Sequence, residues 1–166
     1  MPLRAFYGMW PQYDRRLREV IGAMTDEQLA IRPSPDRWPI WATVGHTAGM
    51  RVYWLCKVSG EPGAESTPFA VDAEEGWEDD LEHPRSAQDL VMALETTWAI
   101  IDRLLDAWTP AMLEDKIERS FGDERQIHTR SSIVQRMVTH EAYHCGELSQ
   151  TLGIAGLPQI DLWRPD

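Results

Sequence analysis

Residues 131–153 read SSIVQRMVTHEAYHCGELSQTLG and predict a long amphipathic helix. At about 100° per residue, one narrow stripe collects apolar side chains together with two histidines. Ser131 or Ser132 can cap the start of this helix, and Gly153 can end it. The stripe contains Ile133, Met137, His140, His144, Glu147, Leu148 and Thr151, and it is widened on one side by Val134, Val138, Cys145 and Leu152. The helix therefore turns two imidazoles toward a largely apolar interior.

His140 and His144 are four residues apart, so their rings project from successive turns of one helix face. This spacing allows both imidazoles to reach a single metal ion. A core role is the alternative, because a single histidine on an apolar face usually satisfies one hydrogen bond there. Two unpaired buried rings would each carry a desolvation cost of about 1–3 kcal/mol. The pair therefore favours a metal site over a packing role.

The same residues match the short zinc-protease pattern H-E-x-x-H. The longer protease pattern has Gly and His three and six residues after the second His, where this chain has Glu147 and Gln150. Glu141 lies about 100° round from His140, at the edge of the stripe. No sheet that could bind a peptide substrate at its edge is predicted before the helix. We therefore do not expect a protease.

Composition limits the possible classes of protein. The 166 residues suffice for one domain with a core, so we expect a single domain over residues 1–166. A net charge of −11 argues against nucleic acid or an anionic membrane as a partner, since both are bound by clustered Lys and Arg. No apolar run is long enough for a membrane span, and the N-terminal stretch MPLRAFYGMW lacks the apolar core of a signal peptide. We expect a cytoplasmic protein in which Cys56 and Cys145 are packing residues.

Apolar periodicity predicts three further long helices. The first runs from Leu3 to Met24, with Pro11 kinking it or marking its true start; the second covers residues 39–59, and the third begins at Ser86. Residues 60–85 form a long connection rich in Pro, Gly and carboxylates, which we expect to cross the bundle with its acidic side chains solvated. Residues 115–130 alternate in polarity around Gly122 and predict a small β-hairpin before the last helix.

The second predicted helix is apolar nearly all round, and only Thr43, Thr47 and Arg51 form a polar strip. Such a helix needs cover on two sides, from its own bundle or from a second subunit. We therefore predict a homodimer. His46 lies on the apolar surface of this helix. Alone it would be a core histidine, but beside the other two it becomes a candidate third ligand.

Two segments resemble the ligand-bearing helices of the DinB-like (YfiT-like) family of metal-binding four-helix bundles. One is PIWATVGHTAGMRVYWLCKVSG, in which a His is followed eight residues on by Trp, and the other is HEAYHCGELSQTLGIAGLP, which has the form HxxxH-x-G-[QE]-L. The resemblance covers most of the chain. It implies an all-α, DinB-like four-helix bundle with a long connection between helices two and three. Carried over residue by residue, it implies that His46, His140 and His144 are the metal ligands.

The resemblance also implies a chemistry. Three neutral imidazoles on a divalent ion leave one or more open positions, and zinc or nickel suits nitrogen ligands better than harder ions do. Such an ion could lower the pKa of a bound water or thiol. Family members include transferases and isomerases that use mycothiol or bacillithiol, so an S-transferase acting on a small-molecule substrate with a low-molecular-weight thiol is implied.

Two alternatives to the transferase stay open. The first is a metal-dependent hydrolase, and the second is a non-catalytic metal-binding module. A pocket open to the metal would favour an enzyme, whereas a collapsed and fully ligated site would favour the module. Glu147 has three possible roles: it could orient His144, enter as a fourth ligand, or be a carboxylate at the rim of the site.

Overall fold

The structure is a computed structural model that describes residues 1–164, and four long helices form its bundle. The predicted all-α four-helix class is thereby confirmed. The predicted single domain extends over residues 165 and 166, which lie outside the described residues. The bundle helices are α1 (Trp10–Gly22), α3 (Ile40–Val52), α4 (Ala87–Ala107) and α5 (Arg130–Ile154), and a one-turn helix α2 (Asp26–Leu29) lies between the first two.

Proline and capping residues set where these helices begin. Pro11 occupies the first turn of α1, so the helix starts at Trp10 and not at Leu3. The hydroxyl of Ser86 accepts from the backbone N–H of Asp89 at 3.2 Å and caps α4. None of the helices within residues 1–164 has the length and apolar character needed to cross a membrane.

The ends of α5 differ from the prediction. Its N-cap is Thr129, whose side chain accepts from the backbone N–H of Ser132 at 3.2 Å, and not Ser131 or Ser132. The helix also continues through Gly153 to Ile154. Gly156 supplies the left-handed residue after the helix, with φ of 71°, and that conformation suits a residue without a Cβ.

The predicted second helix changes its winding at Tyr53. Residues Tyr53–Val58 form a π-helical turn, in which the N–H of Ser59 donates to the carbonyl of Trp54 at 3.1 Å. The wider turn shifts the following side chains round the helix axis relative to α3. Single π turns of this kind are rare in proteins, and those that are found often lie at functional sites.

The predicted β-hairpin is present directly before α5. Strands β1 (Lys116–Phe121) and β2 (Glu124–Thr129) pair antiparallel, with Phe121 opposite Glu124. The loop therefore consists of Gly122 and Asp123, and Gly122 has a φ of 56°. Thr129 ends β2 and caps α5, so the hairpin is joined to the histidine-bearing helix without a linker.

The polar strip of α3 faces the interior of the bundle. Thr47 and Arg51 are each only 1% exposed. Arg51 donates from Nε to Oε1 of Glu141 at 2.7 Å and from Nη2 to Oδ1 of Asp14 at 2.8 Å. Trp10 donates from Nε1 to the other oxygen of Glu141 at 2.7 Å. This buried network joins α1, α3 and α5, and its paired charges explain why a polar strip can be buried.

The long connection covers the opposite side of α3. Glycines on α3 allow this close approach, since a Cβ added at Gly45 would lie 3.1 Å from Cβ of Trp77 and one added at Gly49 would lie 3.3 Å from the Phe69 ring. The connection therefore crosses the bundle as predicted. Together with the bundle it leaves no residue of α3 exposed. The homodimer, which was expected from the apolar pattern of this helix, stays a prediction.

Candidate metal centre

The three predicted ligand histidines lie together where α3 packs against α5. Nε2 of His140 lies 3.0 Å from Nε2 of His46 and 3.1 Å from Nε2 of His144. A ligand atom from each ring lies within 4.8 Å of those of the other two. His144 is buried, and the other two rings are half-buried. The chain thus brings together side chains that are 94 residues apart in sequence.

Two carboxylates hold the outer sides of these rings. Oε1 of Glu78 lies 2.5 Å from Nδ1 of His46, and Oε2 of Glu147 lies 2.8 Å from Nδ1 of His144. An ionised carboxylate only accepts hydrogen bonds, so Nδ1 of each ring must donate. In a neutral imidazole the remaining nitrogen, Nε2, then carries a lone pair. Both lone pairs are directed by their rings toward Nε2 of His140.

His140 is the central ring of the cluster and the least satisfied one. Burial, followed by the neighbouring imidazoles of His144 and His46, lowers the pKa of His140 to about 3. Burial also lowers the pKa of His144. Within residues 1–164, Nδ1 of His140 is buried and has no hydrogen-bond partner. The His140 ring is therefore neutral at pH 7, as a metal ligand must be.

A divalent ion fits this arrangement. Bond lengths of about 2.0–2.1 Å to nitrogen place two ligand atoms on one ion about 3.0–3.4 Å apart, depending on the coordination angle. The observed separations of 3.0 and 3.1 Å fall in that range. Without a cation, His140 Nε2 has one proton at most and two lone pairs to meet. The carboxylates behind His46 and His144 have the positions that orient metal-binding imidazoles in known sites. The three histidines could therefore hold a divalent metal.

Two cavities reach the histidine cluster from different sides. The His144 cavity has a volume of about 580 Å³ and is also lined by Trp38, Tyr143 and Glu147. The His140 cavity has a volume of about 650 Å³ and is also lined by Glu78. Both volumes are in the range of small-molecule sites. The cluster is therefore open to ligands and is not a collapsed site.

The structure also gives the positions of three side chains near the cluster, Glu147, Glu141 and Cys145. Glu147 contacts the outer nitrogen of His144, so it has the position of an orienting residue and not that of a fourth ligand. Glu141 is turned to the core and is bonded to Arg51 and Trp10, away from the position of a protease base. Burial raises the pKa of the Cys145 thiol to about 12, which agrees with a packing role.

Sequence reasoning missed Glu78, because the acidic run of the connection was expected to be solvated. The Glu78 side chain is only 10% exposed and contacts His46 across 32 residues of sequence. Its neighbour Trp77 packs on α3 and anchors the connection there. A tryptophan inside an acidic run was the one available signal that part of this run returns to the bundle.

Comparisons with known proteins agree with the fold. The family model described as the DinB superfamily matches residues 12–148. A crystal structure of a DinB-like protein from Bacillus cereus is similar, with a TM-score of 0.69, 18% identity and 96% of each chain covered. A conserved protein from Enterococcus faecalis has a TM-score of 0.65 and 18% identity over 94% of this chain and 99% of its own. None of the curated proteins compared with the chain matches it. These structural likenesses show the fold alone.

Proposed function

We propose that this chain, which belongs to the DinB superfamily, is a metal-dependent enzyme in which His46, His140 and His144 bind one divalent ion. The observation that carries the proposal is the convergence of three Nε2 atoms at a point that cavities reach from two sides. A non-catalytic module would not need such access. Zinc or nickel is the proposed ion, because all three ligand atoms are imidazole nitrogens.

The ion would lower the pKa of a water or thiol that reaches its open side and so supply a nucleophile at neutral pH. The protein's own residues fix the geometry. Glu78 and Glu147 hold the rings of His46 and His144 in the tautomer that leaves Nε2 free for metal. Tyr143 also lines the His144 cavity, and the nearby Glu147 raises the pKa of the Tyr143 hydroxyl. The Tyr143 hydroxyl therefore stays protonated at neutral pH.

We propose transfer of a low-molecular-weight thiol to a small electrophile as the reaction. The support is the resemblance to thiol-using members of the family, together with a site large enough for two small reactants. Neither protein thiol suits the role of nucleophile, because Cys145 is buried and its pKa is about 12, and burial raises the pKa of Cys56 as well. The thiol must therefore come from solution. A hydrolase that activates water at the same site is the competing enzyme.

Turnover of a panel of halogenated and epoxide electrophiles tests this proposal. The metal-loaded protein is assayed with and without an added thiol, beside a His144→Ala variant and a Cys145→Ser variant. The transferase requires both metal and thiol, loses its activity in His144→Ala and keeps it in Cys145→Ser. Turnover that needs metal but no thiol would replace the transferase by a hydrolase. The absence of both thiol binding and turnover would favour the non-catalytic module.

Two further parts of the proposal concern the protein's setting. We propose a homodimer, because the sequence of α3 is apolar on more than one side. We also propose a cytoplasmic location, in keeping with helices among residues 1–164 that do not suit a membrane span. Neither part is needed for the chemistry of the three histidines.

A further inference from the structure

Three cations line the His140 cavity on the side of the β-hairpin. Arg119 comes from β1, Arg136 from α5 and Lys57 from the π-helical turn. Arg136 precedes His140 by one helical turn, and side chains at that spacing have Cβ atoms about 6 Å apart. The cations therefore lie beside the histidine cluster and not at a separate surface.

These cations have no carboxylate partner within residues 1–164, although the chain has an excess of 11 negative charges. On the same hairpin, Arg125 forms a bidentate pair with Glu118. Arg119, in contrast, donates from Nη1 only to the neutral amide oxygen of Gln126 at 3.2 Å. Its Nε atom is buried without an acceptor among the described residues. A buried cationic N–H without a partner is unfavourable unless a ligand or water supplies the acceptor.

Aromatic rings hold the two guanidinium groups in place. Cζ of Arg119 lies 5.2, 5.0 and 4.7 Å from the ring centroids of Tyr53, Trp54 and Phe121. Cζ of Arg136 lies 4.4 Å from the same Trp54 ring. Cation–π contacts stabilise each guanidinium but leave its N–H donors unused. Two like charges are thus brought to one indole ring, and neither forms an ion pair with a carboxylate among residues 1–164.

The π-helical turn lines part of this cavity. Tyr53, Trp54 and Lys57 all belong to the turn, and all three line the cavity. A regular α-helix through Val58 would distribute these side chains differently round its axis. The rare winding therefore coincides with the segment that presents two rings and a cation toward the unpaired arginines.

We propose that Arg119 and Arg136, assisted by Lys57, form a subsite for the oxyanion of a small organic substrate, a carboxylate or a phosphate ester. The guanidinium fork matches either group with parallel N–H donors. The ligand's other end reaches the metal ligand His140, one helical turn away. The role of Arg119 and Arg136 in binding a substrate rests on the proposed metal-dependent activity. Their ability to bind an anion does not. A polyanion is excluded, because Glu74, Glu75 and Asp79 line the same cavity.

Calorimetric titration with three matched thiols tests the subsite. The probes are 3-mercaptopropionate, its neutral amide 3-mercaptopropionamide, and 2-mercaptoethyl phosphate. Each is titrated into metal-loaded and metal-free full-length protein, and into Arg119→Gln, Arg136→Gln and Arg125→Gln variants. Arg125→Gln is the matched control, because it removes the same charge from the same hairpin but from a residue that is paired with Glu118. Arg136 is exposed on α5, so its substitution leaves the fold intact even if Arg119→Gln disturbs the hairpin.

At least one anionic probe should bind wild-type protein about tenfold more tightly than the amide, and Arg136→Gln should abolish that preference. Preference for the carboxylate or for the phosphate probe identifies the source of the oxyanion. Equal affinity for all three probes, or an equal loss of affinity in Arg125→Gln and Arg136→Gln, overturns the subsite.

If the preference for an anionic probe persists in metal-free protein while no metal binds to the histidines, the proposed activity fails and the subsite stands. Metal-dependent turnover that ignores Arg119 and Arg136 leaves the activity and removes the subsite.

Discussion

Oε1 of Glu78 lies 2.5 Å from Nδ1 of His46, so a residue of the long connection holds a side chain of helix α3. The connection is therefore part of the candidate site and not only a link between two helices. Glu147 makes the corresponding contact with His144 from within α5. Two of the three histidines are thus oriented by carboxylates from two different parts of the chain.

Removing the Glu78 carboxylate should weaken metal binding. Glu78→Gln should lower the affinity for zinc by about 10–100-fold, because the amide can no longer fix the His46 tautomer as a carboxylate does. Competition with a chromogenic chelator measures this affinity. Asp72→Asn is the control, since Asp72 is an exposed acid of the same connection. Equal affinity in Glu78→Gln and Asp72→Asn would show that the contact does not position His46 for metal.

Removing one partner from the buried network round Arg51 should destabilise the bundle strongly. Burial alone would lower the pKa of Arg51, but the carboxylates of Glu141 and Asp14 outweigh it and raise the pKa, so the guanidinium is charged at all relevant pH values. Arg51→Met leaves Glu141 buried without a cation, while Asp14 keeps only its ion pair with Arg18 at 2.7 Å. We expect a loss of about 3–5 kcal/mol in the free energy of unfolding.

Urea denaturation followed by circular dichroism measures the effect of Arg51→Met. Arg125→Met is the comparison, because Arg125 and Glu118 form an exposed pair with side chains 68% and 59% exposed. Its unfolding midpoint should stay close to that of the wild type. A midpoint for Arg51→Met that equals that of Arg125→Met would show that the buried network contributes little.

Cys145 should be chemically silent despite following His144 directly. Because burial raises its pKa to about 12, almost no thiolate is present at pH 8. Mass spectrometry after iodoacetamide treatment of folded protein should find Cys145 unmodified, and modified once the chain is unfolded in urea. Cys145→Ser should retain the bound metal. Rapid alkylation of Cys145 in the folded protein would mean that it is accessible and ionised, which the packing role does not allow.

The sequence predicted those features that depend on periodicity and local capping. The stripe through His140 and His144, the hairpin round Gly122 and the start of α4 at Ser86 all follow from side-chain spacing or from a short motif. These signals are local, so they survive without knowledge of the tertiary structure. The candidate ligand set also needed His46, for which the family resemblance and the inward face of the second helix were the guides.

Features that depend on pairing across the bundle were not predictable in this way. Arg51 was assigned to a polar strip, because its carboxylate partners Asp14 and Glu141 lie on other helices and only their contact permits burial. Glu78 lies in a connection without a repeating pattern, so its return to His46 left no periodic signal. The π winding at Tyr53 was equally hidden, since its apolar and aromatic residues also suit an α-helix.

The homodimer can be tested by light scattering of the full-length protein at micromolar concentration. We expect a mass twice that of the 19.0 kDa chain. The physical reason is the all-round apolar pattern of α3 in the sequence, although the bundle and the connection leave no residue of α3 exposed within one chain. A monomer mass across the whole concentration range would contradict this prediction without affecting the histidine site.

Elemental analysis of the purified protein and its histidine variants tests the metal centre most directly. Wild-type protein should contain close to one equivalent of zinc or nickel per chain, and His140→Ala should lose it, because the central ring contacts both other ligands. His83→Ala is the matched control, since His83 is exposed and bonded to Asp80 away from the cluster; it should keep its metal. Near-stoichiometric metal in His140→Ala would contradict the assignment of His46, His140 and His144 as the ligands.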